Sequence, residues 1–260
     1  MRTDTPMLQV QNLTKRFKRG GNGTDALRGV SLSLFPGEIL GIVGESGSGK
    51  STLLRSIARL EKETSGSVIL DGGDLKNYKP GDICKSMQMV FQDAEASFDP
   101  RMRINASIDE NIRNLCALRG ADVGNKRREL IEMVGLDPTL GERYPAHLSG
   151  GQCQRLAIAR ALASKPKILL CDEVTSALDV SAQAQIVALL ASLRQSLGLS
   201  IIFVSHDLAL VGSVCDRIVV MHDGEIQEEG PAQQVLDAPE HEYTKALLAS
   251  VLTIKEQHDI

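Results

Sequence analysis

The chain has 260 residues, 42% hydrophobic and 24% charged, enough apolar material for one large globular domain or two small ones. Its net charge of −4, and aromatic content of 3% without Trp, argue against a dedicated nucleic-acid binder, which shows basic excess or stacking platforms. No apolar run reaches the roughly 18 residues that span a bilayer, residues 1–6 are no secretory leader, and the five cysteines lack C-x-x-C spacing, so a cytosolic chain without zinc or dithiol chemistry is expected.

In chain order, residues 8–13 and 30–34 alternate apolar and polar side chains and predict half-buried strands. Between them, residues 18–24 read as a flexible basic loop, and Pro36-Gly37 reads as a turn. Residues 39–43 form an apolar strand that runs into Gly44-Glu45-Ser46-Gly47-Ser48-Gly49-Lys50-Ser51, and a helix-compatible stretch starting at Thr52 leaves it. This run fits the phosphate-loop pattern G-x-x-x-x-G-K-[ST] at every fixed position, in the strand–loop–helix setting that the motif requires. Glycines let the backbone curl so that several N–H groups face one anion, and the following helix adds its positive N-terminal end. Lys50 is a mobile charge for the β- and γ-phosphates of a nucleoside triphosphate, and the Ser51 hydroxyl suits Mg²⁺.

Residues 66–72 and 87–92 predict two further strands. From residue 93 to about 163 the pattern turns helical, as in residues 126–134, which suggests a helical insertion between strands of an α/β core. Residues 167–171 and 200–204 are short continuous apolar runs, as in parallel strands buried on both faces. The helix between them carries Ile186, Leu189, Leu190, Leu193 and Leu197 at helical spacing, a stripe expected to pack into the core. Residues 217–226 predict a hairpin turning at Asp223-Gly224. Cys171 reads as a small core residue, and no repeat, low-complexity stretch or heptad run is present.

Two further motifs carry chemistry. The strand ending in Asp172-Glu173 puts carboxylates where open α/β sheets bind ligands. Asp172 would hold Mg²⁺, and Glu173 would polarise the attacking water. Leu148-Ser149-Gly150-Gly151-Gln152 precedes a helical run. By itself this is an ordinary N-cap with a flexible entry, yet the same geometry makes a second anion site from bare N–H groups and a hydroxyl.

Taken together, these motifs resemble the nucleotide-binding subunits of ATP-binding-cassette (ABC) transporters, whose signature is LSGGQ; the resemblance runs from about residue 8 to beyond residue 230. It implies a P-loop NTPase core with an N-terminal antiparallel β subdomain and an inserted α-helical subdomain. In that scheme the core and β subdomain take residues 7–92 and 164–235, the helical part residues 93–163, and the tail residues 236–260. It implies ATP and Mg²⁺ as ligands, held by residues 44–52, Thr52 included. Gln92 resembles the loop glutamine that reaches Mg²⁺ and water, and His206 resembles the switch histidine at the γ-phosphate. Phe17 resembles the aromatic that stacks on adenine, or is a strand-end core residue. The Ser176–Asp179 loop, Asp179 included, resembles the one that crosses to a second subunit. Ser149, Gly150, Gly151 and Gln152 would complete that second subunit's site, giving two closed sites per dimer.

The subfamily marks are residues 89–102, similar to the VFQDPxxSLNPRM segment of oligopeptide, dipeptide and nickel importers, and residues 240–251, similar to their HPYTxxLL tail. Ala94, Phe98, Asp99, Val174 and Glu242 depart from that pattern without removing a catalytic group. The chain lacks the tail cysteine cluster of some relatives, so no iron–sulfur centre is expected. The resemblance implies a peripheral ATPase at the cytoplasmic face of the membrane, working with a second ATPase, a permease and, indirectly, a solute-binding protein, and without nucleic acid. The alternatives are an ABC ATPase in a soluble complex, such as a carbon–phosphorus lyase scaffold, or one acting on nucleic acid or ribosomes.

Overall fold

The computed structural model describes residues 5–19 and 22–256. In chain order the elements are β1 (Leu8–Arg19), β2 (Asn22–Leu34), β3 (Ile39–Val43), α1 (Lys50–Ile57), β4 (Ser65–Leu70) and β5 (Gly73–Asp74). There follow α2 (Pro80–Ser86), β6 (Met87–Val90), α3 (Ile104–Cys116), α4 (Ala121–Met133), α5 (Gly150–Ala161), β7 (Ile168–Asp172) and α6 (Val180–Leu197). The chain closes with β8 (Ser200–Val204), α7 (Leu208–Val214), β9 (Arg217–His222), β10 (Glu225–Pro231), α8 (Ala232–Asp237) and α9 (Glu242–Glu256). Two compact units result, one of Met1–Asn77 with Ser200–Ile260, the other of Tyr78–Leu199.

The first unit holds two sheets. One is antiparallel in the order β2-β1-β4-β5. The other runs β10-β9-β3-β8, with β3 parallel to both β8 and β9 and β10 folded back antiparallel on β9. All five residues of β3 and all five of β8 are buried, as their continuous apolar runs foretell. Helix α7 packs so closely on β3 that a Cβ at Gly41 would stand 2.5 Å from Val211 Cγ1, so only glycine fits there. The hairpin at Asp223-Gly224 forms as expected, with both residues at positive φ.

One expectation in this unit is corrected. Residues 18, 19 and 22–24 are not a loop: the β1–β2 ladder continues through Phe17↔Thr24, Lys18↔Gly23 and Arg19↔Asn22. Cross-strand pairing there outweighs the weak intrinsic preference of a basic, Gly-rich segment. Gly20 and Gly21, the rest of that segment, lie outside the described residues.

In the second unit helices α3, α4 and α6 pack against α5, and α5 and α2 pack against β6 of the parallel pair β6–β7. Every residue of β7 is buried. Burial, with the Asp172 carboxylate beside it, pushes the Cys171 thiol far up, so it behaves as an inert apolar group. On α6, Ile186, Leu189, Leu190 and Leu193 are buried as the stripe predicts, but Leu197 is 46% exposed. It is the last helical residue before the left-handed Gly198 cap, where the chain turns away. Among the described residues no helix is long and apolar enough to cross a membrane.

Candidate functional site

In the first unit β3 delivers the phosphate loop. Gly44 has φ 149°, and a Cβ there would stand 2.1 Å from the Met221 carbonyl oxygen, so this position tolerates no side chain. The Ser48 N–H donates to Glu45 O at 3.2 Å and closes the curl. Lys50 is only 4% exposed, with its Nζ donating to Gly44 O at 2.8 Å and Glu45 O at 2.7 Å, and 3.3 Å from Ser48 Oγ. A buried ammonium is thus held inside the loop by backbone dipoles. The first turn of α1 contains no acidic residue and no side-chain cap, so its positive end is uncompensated by its own side chains. A curled backbone, a helix N-terminus and a stored cation together fit an anion of several charges. Ser51 and Thr52 sit half-buried in that first turn.

His206 is exposed, two residues beyond β8. Strands β3 and β8 are parallel neighbours through Ile42↔Val204, and Ser205 N–H donates to Ile42 O at 3.2 Å. The loop and His206 therefore leave the same carboxyl edge of one parallel pair, where such sheets take ligands. Phe17 lies within β1 opposite Thr24, 39% exposed, with Lys15 Nζ 4.6 Å from its ring centroid. That exposure removes the reading of Phe17 as a core residue.

In the second unit Asp172 is the last residue of β7 and 3% exposed. Glu173 takes the left-handed conformation (φ 49°), which costs a non-glycine residue about 1–2 kcal/mol. Strain of this kind gathers at functional sites. The Ser176 N–H and Oγ both donate to Glu173 O, at 3.1 and 3.0 Å, and hold the turn. Gln92 corrects an expectation: β6 ends at Val90, whose pairing with Cys171 is the last rung, and Gln92 lies exposed in a bend beyond it. A carboxylate, a hydroxyl and an amide, the groups of Asp172, Ser51 and Gln92, are oxygen donors of the kind that Mg²⁺ takes alongside its waters. Among the described residues no group of three or more His, Cys, Asp and Glu side chains could hold a metal ion by itself.

The signature motif begins α5. Ser149 Oγ accepts from Gln152 N–H at 3.3 Å while Gln152 Oε1 accepts from Ser149 N–H at 3.1 Å, a reciprocal capping box. The ordinary N-cap is therefore present, built with Gln152, and it leaves Gly150 and Gly151 in the first turn between the two capped groups. These glycines abut the segment after β7: a Cβ at Gly150 would stand 3.2 Å from Leu178 Cδ2, and one at Gly151 3.5 Å from Ala182 Cβ. Between them opens a cleft of about 410 Å³ lined by Ser149–Gln152, Arg155, Leu178 and Asp179. A neighbouring cleft of about 470 Å³ joins Gln92, Asp93 and Glu95 to Gly150, Cys153 and Leu178. Burial, reinforced by the charge of Glu95, raises the Cys153 thiol to about 11 and keeps it neutral there.

Several contacts around these motifs are not part of the motifs themselves. Asp179 caps α6, accepting from Ala182 N–H at 2.8 Å. Arg155 donates to Val134 O at 2.7 Å and Gln185 Oε1 at 3.1 Å, placing a cation at the cleft. Arg160 lies over the Phe98 ring at 4.2 Å and donates to Ser97 O at 2.7 Å, tying α5 to the segment after Gln92. Phe98, a departure from the subfamily pattern, is thereby used. An Asp preceding a helix signals the first of these; the two arginines are polar breaks in apolar helix faces, a signal too common to single out.

The strand, phosphate loop and helix, with carboxylates at a parallel strand end, define a P-loop nucleoside triphosphatase. Comparison with known proteins is more specific. A family model described as ABC transporter matches residues 27–176, more than half the chain. The chain is 48% identical over 230 residues to the oligopeptide transport ATP-binding protein OppF of Salmonella typhimurium, covering 87% of this chain and 69% of that one. It is 43% identical over 256 residues to the glutathione import ATP-binding protein GsiA of Escherichia coli, covering 95% of this chain but spanning only 41% of that relative's length. Among solved structures it is similar to the dimeric post-hydrolysis state of the ATP-binding cassette MJ0796 bound to ADP and Pi, with a TM-score of 0.79 and 33% identity over 87% of this chain and 99% of that one. The chain belongs to the ABC transporter family.

Proposed function

We propose that the chain is the ATP-binding and ATP-hydrolysing subunit of an importer, coupling closure of a two-cassette dimer to uptake of a peptide-type solute through a separate membrane permease. The observation that carries the reading is the phosphate loop with Lys50 buried inside it, in a chain 48% identical to an oligopeptide transport ATP-binding protein. The subunit would work peripherally, on the cytoplasmic face of the membrane.

ATP supplies the phosphoanhydride to be cleaved, and Mg²⁺ would neutralise its phosphate charge. Lys50 exchanges its carbonyl partners for phosphate oxygens, and the loop N–H groups with the α1 terminus hold the rest of the anion. The Ser51 hydroxyl, the Asp172 carboxylate and the Gln92 amide would hold the metal. Glu173 orients the attacking water and accepts its proton, and His206 donates to the oxygens that gain charge in the transition state. Ser149, Gly150, Gly151 and Gln152 present the α5 terminus to a second subunit's nucleotide, with Asp179 in the same interface. Phe17 offers a platform for the base.

Purification of the tagged chain from its own membranes tests this. Recovery of a multi-span permease together with Mg²⁺-dependent ATP hydrolysis is expected. Recovery with ribosomes, nucleic acid or a soluble enzyme complex instead would overturn the importer reading.

A further inference from the structure

The tail motif His241-Glu242-Tyr243-Thr244 marks the subfamily in sequence but has no part in the site described above. The structure brings it to the phosphate loop. Glu228 on β10 accepts the N–H groups of Glu240 and His241, at 2.9 and 3.1 Å, and so fixes the approach to α9. His241 Nδ1 accepts from Tyr243 N–H at 3.2 Å, which sets the tyrosine in the first turn. The Tyr243 ring then lies on the His222 ring, with centroids 4.1 Å apart and planes tilted by 32°. Its hydroxyl oxygen accepts the N–H of Glu45, second residue of the loop, at 3.4 Å.

His222 is itself joined to the loop. It ends β9 at the hairpin tip, where Gly224 N–H donates to Ser48 O at 3.1 Å and the Met221 carbonyl fills the space beside Gly44. The hairpin tip, the tail helix and the first half of the loop therefore form one cluster. That half needs a restraint from outside. Glu45, Ser46 and Gly47 are exposed and precede α1, whereas Lys50 and Ser51 are inside the helix. Burial, opposed by the Glu45 N–H and reinforced by the Glu45 and Asp223 carboxylates, raises the Tyr243 phenol above its ordinary value, so the hydroxyl stays protonated at neutral pH.

We propose that Tyr243 is a positioning residue for ATP binding: by holding the Glu45 N–H and stacking on His222, it keeps the first half of the phosphate loop in its binding conformation. A loop already ordered before binding loses less freedom when the anion arrives, so the tyrosine acts on affinity rather than on the chemical step. The proposal rests on the reading of residues 44–51 as the ATP cradle.

The test is equilibrium binding of a fluorescent ATP analogue with Mg²⁺, together with steady-state hydrolysis, for the purified chain and four variants. Tyr243→Ala should raise Kd and KM about three- to tenfold with kcat unchanged. Tyr243→Phe keeps the ring on His222 and loses the hydroxyl, so it should fall between Tyr243→Ala and the unsubstituted chain. Lys245→Ala removes an exposed cation paired with Glu242 in the same turn and should change nothing. The proposal is overturned if both Tyr243 variants bind as the unsubstituted chain does, if Lys245→Ala loses as much affinity, or if kcat falls while KM holds. Lys50→Ala separates the two levels: should it bind ATP normally, the cradle reading falls, whereas normal binding by the Tyr243 variants beside a weakened Lys50→Ala sinks the tyrosine proposal alone.

Discussion

The phosphate loop and the signature turn are both anion-ready helix starts, but they are built in opposite ways. The loop is closed around its own charge: Lys50 is 4% exposed and bonded to two loop carbonyls, and neighbouring backbone leaves no space at Gly44. The signature turn is open. Ser149 and Gly150 are exposed, the capping box satisfies the polar groups on either side, and small residues floor a cleft of about 410 Å³. A closed cradle holding a cation can take an anion by exchanging partners, within one subunit. An open turn of small residues is a surface that something else can meet, which supports the proposal that it faces a second subunit's nucleotide.

The largest test of this division falls on chemistry. Glu173→Gln should slow ATP hydrolysis by about 10²–10⁴-fold in a phosphate-release assay while ATP binding is retained. Unimpaired hydrolysis would remove Glu173 as the base. Next, Lys50→Ala should weaken ATP binding by about 10- to 100-fold, the worth of a charged hydrogen-bonding partner, in equilibrium titrations of the isolated chain. Smaller effects are expected on the open side. Arg155→Ala, which loses its bonds to Val134 and Gln185, should cost about 1–2 kcal/mol in urea denaturation and leave ATP affinity unchanged. Ser149→Ala should cost about 1 kcal/mol through the lost cap, with ATP affinity of the isolated chain again unchanged but hydrolysis reduced. If Ser149→Ala weakened ATP binding as much as Lys50→Ala, the contrast between the two regions would collapse.

How far each region was legible in sequence follows from how local its physics is. The phosphate loop, the Asp172-Glu173 strand end, the hairpin at Asp223-Gly224 and the buried runs of β3, β7 and β8 all rest on spacing within a few residues, and the structure keeps them. At Gln92 the apolar neighbours extend the strand pattern past Val90, but the ladder with β7 stops there. Residues 18, 19 and 22–24 are strand rather than loop because a ladder partner decides the matter for a Gly-rich basic segment. Leu197 belongs to the apolar stripe of α6 by periodicity, but it sits in the exposed last turn, residues 195–198, before the chain is buried again at Leu199. Asp179, expected at a partner crossing, also caps α6 by accepting from Ala182 N–H.

The sequence by itself determined the class of chemistry, because a phosphate cradle, a strand-end carboxylate and a helix-start signature are written in contiguous residues whose backbone needs are local. The tertiary structure alone decided which distant groups serve those motifs. Tyr243 reaches Glu45 across 198 residues, Met221 fills the space beside Gly44, and Arg160 ties the signature helix to Ser97 and Phe98. None of these has a spacing rule, since each depends on which surfaces the packed core brings within hydrogen-bonding distance.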